Sequence, residues 1–363
     1  MRVDLSPQRI IKMWFCVFAS FFLFISSVGF SQGFGDGEGR IEGKRKFMPI
    51  PYVGYDRSLG FSVGAVPMLM FNPVDKDTIS NSSLIGGLAS YSTTKTWFVI
   101  GFGMFYLNEN KWRISAAGGL GTVNYQFYLD HPLGGWIPYE SKANFAMVKV
   151  ERRIYDKLYG GITYIFADVI TNLDNLPLTD SLRLNGLGLN LSLDERSNPY
   201  YPRSGYYTTL KFNSFPEWFG NKTLSQKIEF DYNHYFPIRG DKDVVAARLY
   251  TGFGLGDVSF NQQLIVMSPD IRGYTQGAYR GDYLLALQGE YRWNFHKKWG
   301  AVGFAGVATV FEAINESDNG KLLPGIGTGI RFKAFEDTNF NVGLDIAAGI
   351  DDWGIYFQIG EAF

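Results

Sequence analysis

The chain has 363 residues, with 34 Lys and Arg against 35 Asp and Glu, a balance that excludes a bulk nucleic-acid binder because phosphates need clustered cations. One Cys excludes a disulfide framework and a multi-Cys zinc site, and 46% hydrophobic residues exclude intrinsic disorder. Gly accounts for 43 residues, above the usual share of about 7%, and aromatics for 17%, an unusual pairing for a soluble enzyme.

Residues 1–31 carry the three parts of a secretory signal. Arg2, Arg9 and Lys12 form a basic region, 13–25 is an apolar run, and Gly29 and Ser31 set cleavage before Gln32. The run falls short of the roughly 20 residues of a transmembrane helix, which makes an uncleaved anchor the lesser alternative. Cys16 lies inside the apolar run with apolar sequence after it, which argues against a lipoprotein acceptor. A polar, Gly-rich spacer follows at 32–46. No later stretch approaches the roughly 18 apolar residues of a membrane helix, but a closed barrel spans membranes without one.

From 47 to 363 the sequence alternates. Leu187, Leu189, Leu191 and Leu193 alternate with Gly186, Gly188, Asn190 and Ser192. Tyr283, Leu285, Leu287, Tyr291 and Trp293 oppose Gln288, Glu290, Arg292 and Asn294, and Leu344 and Ile346 oppose Gly343 and Asp345. Period two means strands with one apolar and one polar face. Sixteen are predicted, the first eight at 47–55, 58–70, 82–92, 95–106, 110–123, 142–152, 157–170 and 181–194. The second eight are at 204–214, 223–236, 243–255, 282–294, 298–310, 323–333, 339–349 and 353–363.

A soluble β-sandwich would show the same period. Three features favour an all-β, 16-stranded antiparallel transmembrane β-barrel. Many strands run to about 10–14 residues, against a usual 5–6. The polar faces mix Gly with both signs of charge, as a crowded wet lumen would. Trp97, Trp112, Trp293, Trp299 and Trp353 stand near strand ends, as in interfacial girdles. Connections are mostly short on one side of the barrel, with 71–81 the long exception. Long loops on the other side are expected at 124–141, 171–180, 256–281 and 311–322.

Two motifs interrupt the alternation. In the turn after the eighth strand stand Asp194, Arg196, Asn198, Pro199, Tyr201, Pro202 and Gly205, a set rich in turn formers. In the longest loop stand Ile271, Arg272, Gly273 and Tyr274. In this order, on such a barrel, they resemble the BamA/TamA superfamily of outer-membrane proteins, the bacterial surface antigen family. The first looks like its periplasmic-turn signature and the second like its sixth-loop signature. The ending 354–363, closing on Phe363, looks like its C-terminal assembly signal. The resemblance covers 47–363. It implies a bacterial outer-membrane, multi-pass barrel with the spacer in the periplasm.

Two departures qualify it. The family usually carries POTRA modules ahead of the barrel, and 32–46 is too short to hold one, so the expectation is a POTRA-less member. The family often has an Asp, partner of the loop Arg, where this chain has Gly306. The resemblance implies that the loop folds inward with Arg272, and a buried Arg needs a carboxylate or several acceptors. Parity points Glu290 and Asp345 to the lumen, so Arg272 is expected on one or both, with a purely loop-locking role the blander alternative.

Pro49 and Pro51 lie in the first strand, two apart, so both missing N–H donors face one neighbour. If that neighbour is the last strand, the barrel closes there through a weak seam, where family members are thought to open. The alternative is a periplasmic lead-in before pairing starts.

No enzyme is read. His131, beside Asp130 in a predicted outer loop, lacks a Ser at motif spacing, and His234 has lipid-face parity. His296 sits in a tight turn beside Lys297 and Lys298. Gly pairs such as Gly101 with Gly103 fall inside strands, not before a helix. No cofactor and no metal are implied. The resemblance implies a part in protein insertion or translocation, with outer-membrane lipids, assembly machinery and client proteins as partners and an accessory subunit as one form of that role. The alternative is a structural or lipid-interacting barrel, homo-oligomeric or not, or a pore.

Overall fold

The computed structural model describes residues 45–363, apart from 57–58, 130–134, 174–178, 198–200, 241, 260–261, 276, 314 and 336–339. The signal segment, Cys16 and the spacer up to 44 lie outside the described residues, as do Asp130, His131, Asn198 and Pro199.

Sixteen strands form the wall. The first half is β1 (Arg45–Asp56), β2 (Gly60–Phe71), β3 (Ser83–Ser92), β4 (Trp97–Leu107), β5 (Trp112–Leu129), β6 (Gly135–Tyr155), β7 (Leu158–Leu173) and β8 (Thr179–Asp194). The second is β9 (Gly205–Phe215), β10 (Ser225–Ile238), β11 (Asp243–Gly256), β12 (Arg280–Trp293), β13 (Trp299–Ala313), β14 (Leu323–Phe335), β15 (Phe340–Ala348) and β16 (Trp353–Ile359). Neighbours in sequence pair antiparallel, and β1 returns to β16, so the sheet closes. Closure supplies backbone partners without a helix, and among the described residues no helix is long and apolar enough to cross a membrane.

The alternation acts as its period requires. On β12, Leu287 is 54% exposed and Trp293 46%, while Gln288, Glu290 and Arg292 are 1–2% exposed. Ile162 and Leu189 stand outward in the same way on β7 and β8. An outer wall this apolar suits lipid. Trp112, Trp293 and Trp299 face outward at the end where β1 starts, here the lower end, and Trp97 and Trp353 at the upper end.

The structure corrects the sequence reading in three places. First, β5 and β6 stay in register up to Leu129 and Gly135, so the long loop expected at 124–141 shrinks to 130–134. Likewise β7 and β8 reach 173 and 179. Backbone pairing continues through polar side chains because each added rung supplies a donor and an acceptor. Second, the last strand ends at Ile359, not Phe363, and 360–363 turn into the lumen. Third, the inner face is not polar throughout. Met48, Ile50, Val66, Met68, Met70, Leu84, Leu88, Phe98 and Ile100 form an apolar core inside β1–β4, continued by Val169, Leu182 and Leu184. Both faces of β2 are apolar, so its alternation carries no sign of which side is inside.

Candidate functional site: an inward loop held by ion pairs

The connection 257–279, between β11 and β12 at the upper end, folds back into the lumen. Its Leu264 and Ile265 pair with Gly281 and Arg280 at the start of β12. Asp270 accepts a hydrogen bond from the Met267 N–H at 3.1 Å, and the Asp270 and Ile271 N–H groups bond back to Met267 O, which tightens the loop before its tip. Arg248 of β11 pins that turn, with Nη1 3.0 Å from Asp270 Oδ1 and Nη2 2.9 Å from Asp231 Oδ2.

At the tip, Arg272 has no exposed side-chain surface. Its Nη2 lies 2.6 Å from Glu290 Oε2 and its Nη1 2.5 Å from Asp345 Oδ2. The guanidinium lies 3.3 Å from the Phe304 ring centroid, a cation–π contact in a desolvated place. Gly273 has φ +113, and a side chain there would put its Cβ 2.6 Å from the Ala348 backbone. Its N–H instead donates to the Tyr356 hydroxyl at 2.9 Å. The Tyr274 hydroxyl donates to Pro324 O at 2.6 Å, and the Thr275 N–H donates to Asp352 Oδ2 at 2.5 Å. Ile271 occupies the space over Gly306, where a Cβ would lie 3.0 Å from its Cδ1.

The carboxylates share their charge with two wall cations. Glu290 Oε1 accepts from Arg292 Nε at 2.9 Å, and Asp345 Oδ2 accepts from Arg331 Nη2 at 3.1 Å. The network thus joins the loop to β12, β14 and β15. Sequence reasoning missed Arg331, Arg248 and Asp231. Their only signal was inward parity on polar strand faces.

The lower-end turn holds a second buried pair. Arg196 Nε and Nη2 fork onto the two oxygens of Asp194 at 2.8 Å each, with side chains 1% and 0% exposed. The Tyr207 ring flanks the guanidinium at 4.1 Å. Burial works against the Arg196 charge, but Asp194 outweighs it and pushes its pKa up. Tyr201 is buried and its hydroxyl accepts from Asn294 Nδ2 at 2.6 Å, which ties the turn to the end of β12; Pro202 is also buried.

The histidines do not gather. His234 stacks on Phe236 on the outer wall, and His296 lies in the turn before β13. Among the described residues no group of His, Cys, Asp and Glu could hold a metal ion.

A closed antiparallel barrel with an apolar outer wall, whose longest loop buries an Arg against wall carboxylates, defines an outer-membrane barrel with an internal loop. The family model described as the Omp85 superfamily domain matches residues 49–363, and the chain belongs to that superfamily. Membership sets the barrel in a bacterial outer membrane.

Among solved structures, BamA from Haemophilus ducreyi lacking POTRA domains 1–3 is similar, with 12% identity and a TM-score of 0.59, over 87% of this chain and 69% of that one. CdiB from Acinetobacter baumannii matches with 11% identity and a TM-score of 0.58, over 87% of this chain and 59% of that one. CdiB from Escherichia coli matches with 11% identity and a TM-score of 0.59, over 87% and 62%. At these identities the likeness is one of fold, and the chain spans less than two thirds of either CdiB. Among curated proteins, no sequence matches.

Proposed function

We propose that this barrel takes part in protein insertion or translocation at the outer membrane, as an accessory to a larger assembly machine, with client proteins and that machine as partners and the surrounding lipids as solvent. The observation that carries the reading is the seam. Among the described residues β1 and β16 share one residue pair, Tyr55 with Ile355, whereas β1 and β2 pair from Arg45 with Phe71 to Asp56 with Gly60. Pro49 lies directly opposite Pro67 of β2, and two prolines can face each other in an intact ladder only where the N positions point away from the pair. Pro49 and Pro51 therefore turn their missing donors toward β16. Each absent ladder bond forgoes about 1 kcal/mol.

Two aromatic contacts help to hold the seam. Tyr55 stacks on Trp353 at 5.8 Å, and Tyr52 meets Phe357 edge-on at 5.9 Å. A closure resting on side chains opens at lower cost than one resting on a full ladder. The buried loop and the apolar inner core count against a simple diffusion pore.

The test is a Tyr55→Cys/Ile355→Cys disulfide across the seam, followed by an outer-membrane proteome. Loss of a set of outer-membrane proteins on locking, reversed by reductant, supports the reading. An unchanged proteome, in locked and in depleted cells alike, supports a structural or lipid-interacting barrel instead.

A further inference from the structure

Residues 360–363 leave the wall. Gly360 has φ +83, and its N–H donates to Asn341 O at 2.8 Å. Beyond it Glu361, Ala362 and Phe363 are all buried. Glu361 Oε1 accepts from Asn341 Nδ2 at 2.7 Å, and its Oε2 lies 3.3 Å from Arg331 Nε and 3.5 Å from Arg292 Nε. Ala362 and Phe363 join Tyr235 of β10 and Val244 and Ala246 of β11 in one buried apolar cluster. Phe363 O accepts from Arg292 Nη2 at 2.7 Å.

These contacts close a ring of alternating charge. Arg272 touches Glu290, Glu290 touches Arg292, and Arg292 touches Glu361. Glu361 touches Arg331, Arg331 touches Asp345, and Asp345 returns to Arg272. Loop tip and inward segment are thus members of one buried network, joined by two independent bridges. The departure of the segment takes one rung from the seam, the one that Pro49 would make, since β16 itself runs on to Ile359. Continued downward, the pairing of Tyr55 with Ile355 would set Pro51 opposite Ile359 and Pro49 opposite Glu361, and neither pair is made.

We infer that residues 361–363 are an internal latch: docked on β10 and β11, they hold the lower end of β16 in place of β1, and the ion ring ties their release to the loop 257–279. Taking Arg272 out of the ring leaves Glu290 and Asp345 to draw Arg292 and Arg331 away from Glu361. Coupling of this kind passes through a physical network that both sites touch. The latch deepens the proposed function, since it says how one side of the seam is held, and it rests on that reading only for its use.

The experiment places Ala362→Cys in a Cys16→Ser background and measures labelling by a polar maleimide in lipid nanodiscs. Labelling is slow in this parent. It rises about tenfold in Arg272→Ala, through local opening of the segment. Ala246→Leu, which fills the seat of Phe363 without touching the ring, raises it as well. Glu290→Gln keeps the loop Arg and decides the matter if Arg272→Ala does not give the heat-modifiable migration of a folded barrel. Fast labelling of the parent overturns docking, and equal rates in parent, Arg272→Ala and Glu290→Gln overturn the coupling. The same rates are read with the Tyr55→Cys/Ile355→Cys disulfide formed beforehand. A rise that persists in the locked barrel upholds the latch even where locking leaves the outer-membrane proteome unchanged. A rise confined to the unlocked barrel overturns it, because the reagent then entered through the seam.

Discussion

Arg272 and Asp345 are 73 positions apart in the chain and bonded in the lumen at 2.5 Å, with neither side chain exposed. A buried cation and carboxylate each lose hydration, and good geometry offsets that loss only while both are present. Removal of one partner therefore costs more than the pair itself contributes.

Arg272→Met is expected to lower stability by about 3 kcal/mol, the low end for breaking a buried pair, because Arg292 and Arg331 still face the two carboxylates. The guanidinium midpoint of the refolded barrel measures it. An unshifted midpoint would mean that the other contacts of the loop, among them Gly273 with Tyr356, Tyr274 with Pro324 and Arg248 with Asp270, suffice to hold it.

Gly306→Asp would install a carboxylate where the family often has one. Here a Cβ at that position would lie 2.4 Å from Leu287 O as well as against Ile271. The substitution is expected to destabilise the barrel by about 1–3 kcal/mol, as overpacking does. It is also expected to leave Asp345→Asn unrescued. Restored stability in the double variant would show that the loop can repack around a different partner.

In the lower-end turn, Arg196→Lys keeps the charge but loses the two-pronged bond to Asp194 and the contact with Tyr207. A loss of about 2 kcal/mol is expected, within the range for buried, charge-assisted bonds. Gly205→Ala is expected to fail more severely, since φ is +86 and the new Cβ would meet Glu195 O. Heat-modifiable migration after refolding separates the two: a reduced melting temperature for the first, a low folded yield for the second.

Asp77 gives the lower end a defined acid response. Burial raises its carboxyl, but the Ser80 hydroxyl and the N–H groups of Glu109, Ser80 and Ile79 outweigh that and hold it well below the usual carboxylate range. Its oxygens tie the connection 72–82 to the turn 108–111, where Asn108, Glu109 and Asn110 all have positive φ. A depressed pKa contributes stability that is complete above the unfolded value, about 4, and is lost as pH falls through the folded one. Pepsin cleavage within 72–82 is expected to rise from about pH 4 to about pH 2 in the natural chain. In Asp77→Asn it is expected to be high and flat over that range. A steep rise that survives in the variant would assign the acid response to another group.

The barrel was legible because period two is local. Each residue flips its side chain, so Leu285 and Leu287 declare an outer face and Glu290 and Arg292 an inner one without any long-range contact. The motif at 271–274 likewise stood out as a break in that pattern. Side-chain alternation is silent where pairing runs on regardless of side chain, as from 124 to Leu129 on β5, and where both faces are apolar, as on β2. On the ring it tells half: inward parity offered Glu290 and Asp345 to Arg272, and it gave no sign of Arg331 or Glu361 as members. Arg272, Glu290, Arg292, Arg331, Asp345 and Glu361 sit on a loop, three strands and an inward segment, each of unremarkable polarity in its own stretch. Their meeting depends on closure of the wall, on the loop folding back from above, and on the turn at Gly360 from below. A buried charge is tolerable only beside its opposite, and partners this far apart in the chain are chosen by the lumen they share.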